Sequence, residues 1–399
     1  MTHIRALGVL AASLLAWWVS LTLFHRDLIV DEWIHLSVID HFAKGKEGLA
    51  PEIPMLPTYH WVAALIYKVS GFSLTALRAF SAALSFAGIA LIALARQDKY
   101  VGARLILLGW FPLLYPYVGL TYTEAAAIAT VGAGVFFHFR KHYFLSGAFL
   151  ILACLVRQSN LIWLAYFALL ASRGYLVPFK AKVVLGRIWI HLAGMGAAVA
   201  WVLAQGQLVK TQDKELAQGF NPAQILIFVL ATILLCFPLA YTEGRRLKQV
   251  LKHMVRRRFR WILFGAVAVS STGLFPILYD NTHPWNQDLD FLRNYPLLAM
   301  DASWGWRFGL SVLAVIGGLW VFGSLRLRMT PRNFAPWILA TLVFLLPHRL
   351  VEPRYYIIPL MLMLIQIDLP KRATRKLAAW WLAVSVAICV SVIRNGPFW

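Results

Sequence analysis

The chain has 399 residues, of which 60% are hydrophobic and only 14% are charged. A soluble domain is about half apolar and a quarter charged, so the composition excludes an ordinary soluble protein and predicts an all-α polytopic membrane protein. The formal net charge of +21 would fit a nucleic-acid-binding protein, but the distribution of that charge along the chain argues against this function.

Apolar segments follow one another along almost the whole chain, enough for about 13 transmembrane helices at roughly 20 residues each. We predict spans at residues 7–24, 76–95, 104–120, 124–137, 144–156, 160–171, 188–208, 223–242, 261–279, 305–323, 336–347, 353–367 and 377–393. Residues 57–69 are a shorter apolar piece, which we interpret as a re-entrant or interfacial helix. Three prolines within residues 51–57 stiffen the chain ahead of it. We find no soluble domain and no internal repeat, so residues 1–399 are expected to form one transmembrane domain.

The basic residues predict the orientation, because short loops rich in Lys and Arg remain cytoplasmic. With the N-terminus inside, most of the 38 basic residues fall in cytoplasmic segments, together with only Asp98, Glu243 and Asp368 of the 17 acidic ones. The largest basic block, residues 245–260, lies between two spans, which favours anionic lipid headgroups over nucleic acid. The charge is therefore a topology signal, and we expect no nucleic-acid partner.

The first extracytoplasmic loop, residues 25–75, contains two adjacent carboxylates. Asp31 and Glu32 follow the first span directly, and His35 comes one turn later. Residues 34–43 can form an amphipathic helix that lies in the membrane interface. The two carboxylates are either solvated loop charges or a catalytic carboxylate and its neighbour, placed where a lipid-borne substrate reaches them.

Three further polar clusters fall on the same predicted side of the membrane. Ionisable residues at membrane depth are energetically costly and usually mark a functional site. The three clusters are Tyr122-Thr123-Glu124, Arg157-Gln158-Ser159-Asn160, and His348-Arg349 with Glu352-Pro353-Arg354-Tyr355. Sugar transfer from a lipid phosphate requires a base for the acceptor hydroxyl and cations for the departing phosphate. Carboxylates and arginines supply both, since a guanidinium binds phosphate bidentately.

Each cluster also has a structural interpretation, which the sequence leaves open. Glu124 either pairs with an arginine or stays hydrated at a helix start. Arg157 fits a buried ion pair as well as a functional site, and Glu352 with Arg354 fits a loop ion pair.

No helix carries histidines and carboxylates at metal-binding spacing. The cysteines Cys154, Cys236 and Cys389 lie in apolar segments without a CxxC motif. We therefore expect neither a metal nor another cofactor.

The motifs together, in chain order and over most of the chain, resemble one known family. The matching runs are Asp31-Glu32 with His35, the proline-rich run ahead of the short helix, Tyr122-Thr123-Glu124, Arg157-Gln158-Ser159-Asn160-Leu161-Ile162-Trp163 and Glu352-Pro353-Arg354-Tyr355-Tyr356-Ile357-Ile358-Pro359. They resemble those of the dolichyl-phosphate-glucose-dependent α-1,2-glucosyltransferases, which add the terminal glucose to the lipid-linked oligosaccharide. The resemblance implies a GT-C fold and inverting transfer of a hexose, glucose in this family, from a polyprenyl (dolichyl) phosphate donor without a nucleotide sugar.

The resemblance makes Asp31 the expected base, with Glu32 as the adjacent alternative. The residues expected to bind the donor phosphate are Arg157, Arg349 and Arg354. Those expected to bind the sugar or the acceptor are His35, Tyr122, Glu124, Gln158, Asn160, Glu352 and Tyr355.

The expected partners are membrane lipid, the polyprenyl-phosphate sugar and a lipid-linked glycan acceptor. The expected site is extracytoplasmic, in the ER membrane of a eukaryote or the inner membrane of a bacterium. Three alternatives stay open: a mannosyl- or aminoarabinosyl-type transferase of the same fold, a lipid-linked sugar flippase or transporter, and a non-catalytic scaffold subunit. Transporters commonly show inverted repeats and polar residues near the midplane. This chain shows no such repeat, and its charged clusters lie towards one face.

Overall fold

The computed structural model describes residues 3–24, 27–29, 31–46, 56–175, 180–205, 221–255, 273, 275–279, 281, 283–288 and 291–394. These residues form α-helices joined by turns and 3-10 turns, and they contain no β-strand. The all-α prediction is therefore confirmed. The chain divides into two compact units, the first made of Met1–Trp110 with Leu114–Ala217 and the second of Phe111–Leu113 with Gln218–Trp399.

The first unit combines long apolar helices with two short helices in the first loop. Its helices are α1 (His3–Phe24), α2 (Glu32–Ala43), α3 (Thr58–Val69), α4 (Leu74–Ala95), α5 (Val101–Gly109), α6 (Thr123–Phe139), α7 (Tyr143–Val156), α8 (Leu161–Ser172) and α9 (Ala181–Gln205). The helices predicted over residues 34–43 and 57–69 are confirmed as α2 and α3. Their location at the membrane interface stays a prediction, and the proline-containing segment ahead of α3 lies outside the described residues up to residue 55.

Helices α4 and α6 cross with their backbones in contact. A Cβ atom added at Gly132 would lie 2.7 Å from the carbonyl oxygen of Gly88, and one added at Gly88 would lie 2.7 Å from the carbonyl oxygen of Ile128. Small residues allow membrane helices to approach this closely. The crossing fixes the start of α4, which carries Arg78, relative to the start of α6, which carries Glu124.

The segment predicted as one span over residues 104–120 is not a continuous helix. Helix α5 ends at Gly109, and Pro112 and Pro116 follow. Proline lacks the N–H that a helix interior needs and clashes with the preceding turn. The chain instead forms a 3-10 turn over Tyr115–Tyr117 and reverses at Gly119, whose φ of 86° is a conformation that favours glycine.

The second unit is built around two long helices that pack against each other. Its helices are α10 (Ala223–Val255), α11 (Asn294–Ala302), α12 (Trp304–Arg328), α13 (Pro331–Leu345), α14 (Ile357–Gln366) and α15 (Lys371–Ile393). Gly317 and Gly318 of α12 face Ile233 and Val229 of α10, where a Cβ would approach within 3 Å.

Two predicted spans of the second unit do not coincide with described helices. The predicted span over residues 223–242 is only part of α10, because that helix continues through the basic segment to Val255. The end of the basic block at residues 256–260, and most of the predicted span over 261–279, lie outside the described residues.

Six of the described helices are long and apolar enough to cross a membrane, and two shorter apolar helices accompany them. The six are Ile4–Leu23, Leu74–Ala95, Ala181–Ala204, Ala223–Gly244, Trp304–Arg328 and Lys371–Ile393, and the shorter two are Thr123–Phe139 and Tyr143–Val156. The chain is thus an integral membrane protein. The count of 13 crossings and the single-domain organisation stay predictions.

The α4–α6 crossing generates a stability prediction. Gly132→Ala forces a methyl group against the Gly88 carbonyl, and we expect a loss of about 1–3 kcal/mol of stability, measured as a lower Tm in detergent. Gly196→Ala on α9 is the matched control, since no atom lies within 4 Å of its added Cβ. Equal Tm values for the two variants would contradict the close crossing.

Candidate active site

Among the described residues of the first loop, Glu32 is the most deeply buried carboxylate, with a side-chain exposure of 0%. Arg78, near the start of α4, binds both of its oxygens through one edge of the guanidinium, the edge formed by Nε and Nη2. Arg78 Nη2 lies 2.6 Å from Glu32 Oε2, and Arg78 Nε lies 3.2 Å from Glu32 Oε1. A buried charge needs such a partner, because desolvation costs several kcal/mol.

Two backbone N–H groups complete the environment of Glu32. Ile29 N donates to Oε2 at 3.0 Å, and Thr121 N donates to Oε1 at 2.8 Å. Each carboxylate oxygen therefore accepts two hydrogen bonds, which matches its capacity of two lone pairs. Arg78 Nη2 also donates to the carbonyl oxygen of Asp27 at 2.8 Å.

Asp31 lies beside Glu32 but in a different environment. Its side chain is half-buried, whereas that of Glu32 is fully buried. Asp31 stands at the N-cap position of α2, yet its side chain makes no capping hydrogen bond. Its backbone N–H donates to the phenol oxygen of Tyr122 at 2.8 Å. The backbone of Asp31 is thus held by the segment that precedes α6.

A buried histidine pair lies next to Tyr122. His35 Nδ1 and His60 Nε2 are 3.0 Å apart, and the His35 ring meets the Tyr122 ring edge-on at 5.3 Å between centroids. Burial, with the adjacent His35 as a second cause, lowers the pKa of His60 well below the usual value. Helix α3, which carries His60, is not among the candidate spans. A neutral pair satisfies the hydrogen bond, since one ring donates and the other accepts.

The third cluster of the first unit is an ion pair between Arg157 and Glu124. An ion pair was one of the two interpretations that the sequence left open for each residue. Arg157 Nη1 binds Glu124 Oε1, with Glu124 buried at the start of α6 and Arg157 half-buried after α7. Gln158 is half-buried in the following 3-10 turn, and the buried Asn160 donates to the carbonyl oxygen of Ala153 at 2.9 Å.

In the second unit one carboxylate faces two arginines. Glu352 Oε2 binds Arg354 Nε, and Glu352 Oε1 lies 3.8 Å from Arg293 Nη2. Arg293 is buried, and its guanidinium lies over the Phe291 ring at 3.9 Å from the centroid. Two guanidinium groups thus share the carboxylate of Glu352.

The backbone around this cluster is held by polar side chains of the same unit. Asn221 Nδ2 donates to the carbonyl oxygen of Arg349 at 2.8 Å, and Gln224 Nε2 donates to that of Leu350. Tyr355 is half-buried and packs against His348 at 4.2 Å between ring centroids.

The predicted residues therefore fall into two groups, one in each unit. The first unit brings together Asp31, Glu32, His35 and Tyr122, and separately pairs Glu124 with Arg157 beside Gln158 and Asn160; the second contains Arg349, Glu352, Arg354 and Tyr355. Among the described residues, no group of three or more His, Cys, Asp or Glu is placed to hold a metal ion.

Sequence reasoning missed three polar residues of these clusters. They are Arg78, His60 and Arg293, all buried. Arg78 gave a usable signal, since it is a charged residue inside a predicted span and such residues are usually functional. His60 forms its hydrogen bond with His35, which is 25 residues away in the sequence. Nothing in the local sequence connects Arg293 with Glu352.

The described part of this membrane protein is helical and contains buried arginine–carboxylate pairs, and ionisable residues buried among apolar helices usually mark a functional site. The family model of the DIE2/ALG10 family matches residues 25–177 and 175–365. The chain belongs to this family, the dolichyl-phosphate-glucose-dependent α-1,2-glucosyltransferases, and is thus a membrane glucosyltransferase of lipid-linked oligosaccharide assembly. Searches of the curated proteins and of the solved structures found no match.

The histidine pair predicts how stability depends on pH. Because the pKa of folded His60 is lowered, the unfolded chain binds a proton below about pH 6.5 that the folded chain does not, and stability falls as the pH decreases from there. We expect the Tm of His60→Gln to decrease less than that of wild type between about pH 7.5 and pH 5. His142→Gln, which removes an exposed histidine, is the control and keeps the wild-type slope. Identical slopes for all three proteins would contradict a neutral buried pair.

Proposed function

We propose that the protein transfers glucose from a polyprenyl (dolichyl) phosphate to a hydroxyl group of a lipid-linked glycan, with inversion, on the extracytoplasmic side of the membrane. Membership of the family supports this donor and an α-1,2 linkage. The single observation that carries the chemistry is the contrast between half-buried Asp31 and fully hydrogen-bonded Glu32. The N-terminus is proposed to be cytoplasmic, on the distribution of the basic residues.

Asp31 is the proposed base. The carboxylate of Glu32 accepts four hydrogen bonds, which leaves it no lone pair for a substrate proton. Asp31 removes the proton of the acceptor hydroxyl while the hydroxyl oxygen attacks the anomeric carbon of the donor glucose. The bond from that carbon to the phosphate oxygen breaks, and the polyprenyl phosphate leaves with the electron pair. A β-linked donor then gives an α-linked product.

The proposed phosphate-binding residues lie in the second unit. Arg293 and Arg354 share Glu352, and guanidinium groups suit a phosphate whose charge grows as it departs. Arg349, three residues before Glu352 in the sequence, is a further candidate for binding the phosphate. Arg157 is already paired with Glu124, so it offers a phosphate less net charge.

The residues expected to bind sugar or acceptor divide by burial. Gln158 and Tyr355 are half-buried, and we propose that they contact the substrates. The others are buried and engaged within their own unit, so we propose that they hold the site in shape: His35, Tyr122, Glu124, Asn160 and Glu352.

The first functional prediction concerns the base. In purified protein with a short-chain polyprenyl-phosphate glucose and a panel of lipid-linked oligosaccharide acceptors, Asp31→Asn is expected to lower kcat about 10²- to 10⁴-fold. Asp40→Asn is the matched control, because Asp40 lies on the same helix but forms a surface ion pair with Lys44 at 2.6 Å. We expect it to transfer at the wild-type rate.

Three results would change this proposal. Wild-type turnover by folded Asp31→Asn would remove the base assignment. Transfer from polyprenyl-phosphate mannose and not from the glucose donor would change the sugar. Movement of the lipid across vesicles without any transfer would favour a flippase.

The second functional prediction concerns the phosphate. Arg293→Gln and Arg354→Gln each remove a charged hydrogen-bond donor, so we expect kcat/KM for the donor to fall by about 10- to 100-fold, equal to roughly 1.5–3 kcal/mol. Arg332→Gln, at the exposed start of α13, is the control and should leave kcat/KM unchanged. Unchanged donor kinetics in both cluster variants would exclude this cluster as the phosphate site.

A further inference from the structure

We infer that the buried Arg78–Glu32 ion pair is a positioning device for the Asp31 carboxylate, an inference that rests on the proposed function of Asp31 as base. Neither residue of the pair touches the reacting atoms in this proposal. The pair acts through the backbone on both sides of Asp31.

The contacts of Glu32 close the backbone around Asp31 into one turn. Glu32 N donates to the carbonyl oxygen of Ile29 at 3.0 Å, and Ile29 N donates to the Glu32 side chain at 3.0 Å. Asp31 lies between these two residues. Arg78 extends the same turn by binding the carbonyl oxygen of Asp27 at 2.8 Å. The side chains of Glu32 and Arg78 thus fix this segment at two backbone groups, the N–H of Ile29 and the carbonyl of Asp27.

The same pair ties this turn to two other helices. Arg78 belongs to α4, and Thr121 N, which donates to Glu32, directly precedes Tyr122, whose phenol receives the Asp31 N–H. The base is therefore held between α4 and the start of α6. A misplacement of a reacting group by about 1 Å can cost about 100-fold in rate, so this connection bears directly on turnover.

The chemistry of the pair favours positioning over stability. A buried ion pair is weak evidence for stability, since well-packed apolar residues of the same volume often serve equally well. They cannot provide the four directional hydrogen bonds that converge on Glu32. The planar guanidinium of Arg78 binds both carboxylate oxygens and a carbonyl at once, which the point charge of lysine cannot reproduce.

A second ion pair in the same unit supplies a matched control. Arg104 is also completely buried, its Nη2 lies 2.6 Å from Asp98 Oδ2, and its Nη1 donates to the carbonyl oxygen of Arg96 at 3.1 Å. This pair joins Asp98, in the turn between α4 and α5, to Arg104 of α5, beyond the end of α4 that is opposite Arg78. Its loss costs fold stability by the same physics.

The test compares Arg78→Lys and Glu32→Gln with Arg104→Lys and Asp98→Asn in the full-length protein. Tm, kcat and donor KM are measured for each with polyprenyl-phosphate glucose. We expect all four variants to have a lower Tm. Only Arg78→Lys and Glu32→Gln should lower kcat, by about 100-fold, with donor KM within about twofold of wild type. Glu32→Gln keeps the size of the side chain, so this variant still tests the inference if Arg78→Lys does not fold.

The pH profile separates this inference from the proposed function. The acid limb of kcat/KM should persist in Glu32→Gln, because the proposed base is still present, and should disappear in Asp31→Asn. Equal kcat losses in both ion pairs overturn the positioning role alone. A loss of the limb in Glu32→Gln makes Glu32 the base and overturns both assignments. Full turnover in Asp31→Asn overturns the base assignment and the positioning role together.

Discussion

A carboxylate placed inside a bundle of apolar helices imposes the strictest condition on this protein. Removing an ion from water costs several kcal/mol even after relaxation, so Glu32 requires a cation and enough donors to satisfy both of its oxygens. Arg78 and two backbone N–H groups meet this condition. Satisfying it forces the first loop, the start of α4 and the segment before α6 to meet at one place. The glycine-mediated crossing of α4 and α6 makes that meeting possible, because a larger residue at Gly132 would push the helices apart.

The same rule shapes the second unit by itself. Arg293 and Arg354 are buried or half-buried around Glu352, and neighbouring amides hold the backbone from Arg349 to Leu350. The two clusters differ in composition. Glu32 faces one arginine, Arg78, whereas Glu352 faces two, Arg293 and Arg354.

The motif residues identified from the sequence lie in partly or fully buried polar clusters, but the sequence did not show which residues they contact. Asp31-Glu32 was visible as a pair, yet only burial separates its members, one half-buried and one at 0% exposure. Glu124 and Arg157 were recognised individually, and the ion pair between them spans 33 residues of sequence. The break after α5 could have been found, since Pro112 and Pro116 stand inside the predicted span.

Composition, local periodicity and motifs along the chain were sufficient to predict the all-α membrane class, the short helices of the first loop and the family. Only the folded structure shows that Glu32 is fully buried, that Arg78 faces it and that His35 contacts His60. Hydrogen bonds and burial depend on atoms brought together from distant segments, as with Glu32 and Thr121, 89 residues apart. Local sequence contains no information on such contacts, so the difference in burial between Asp31 and Glu32 is visible only in the folded chain.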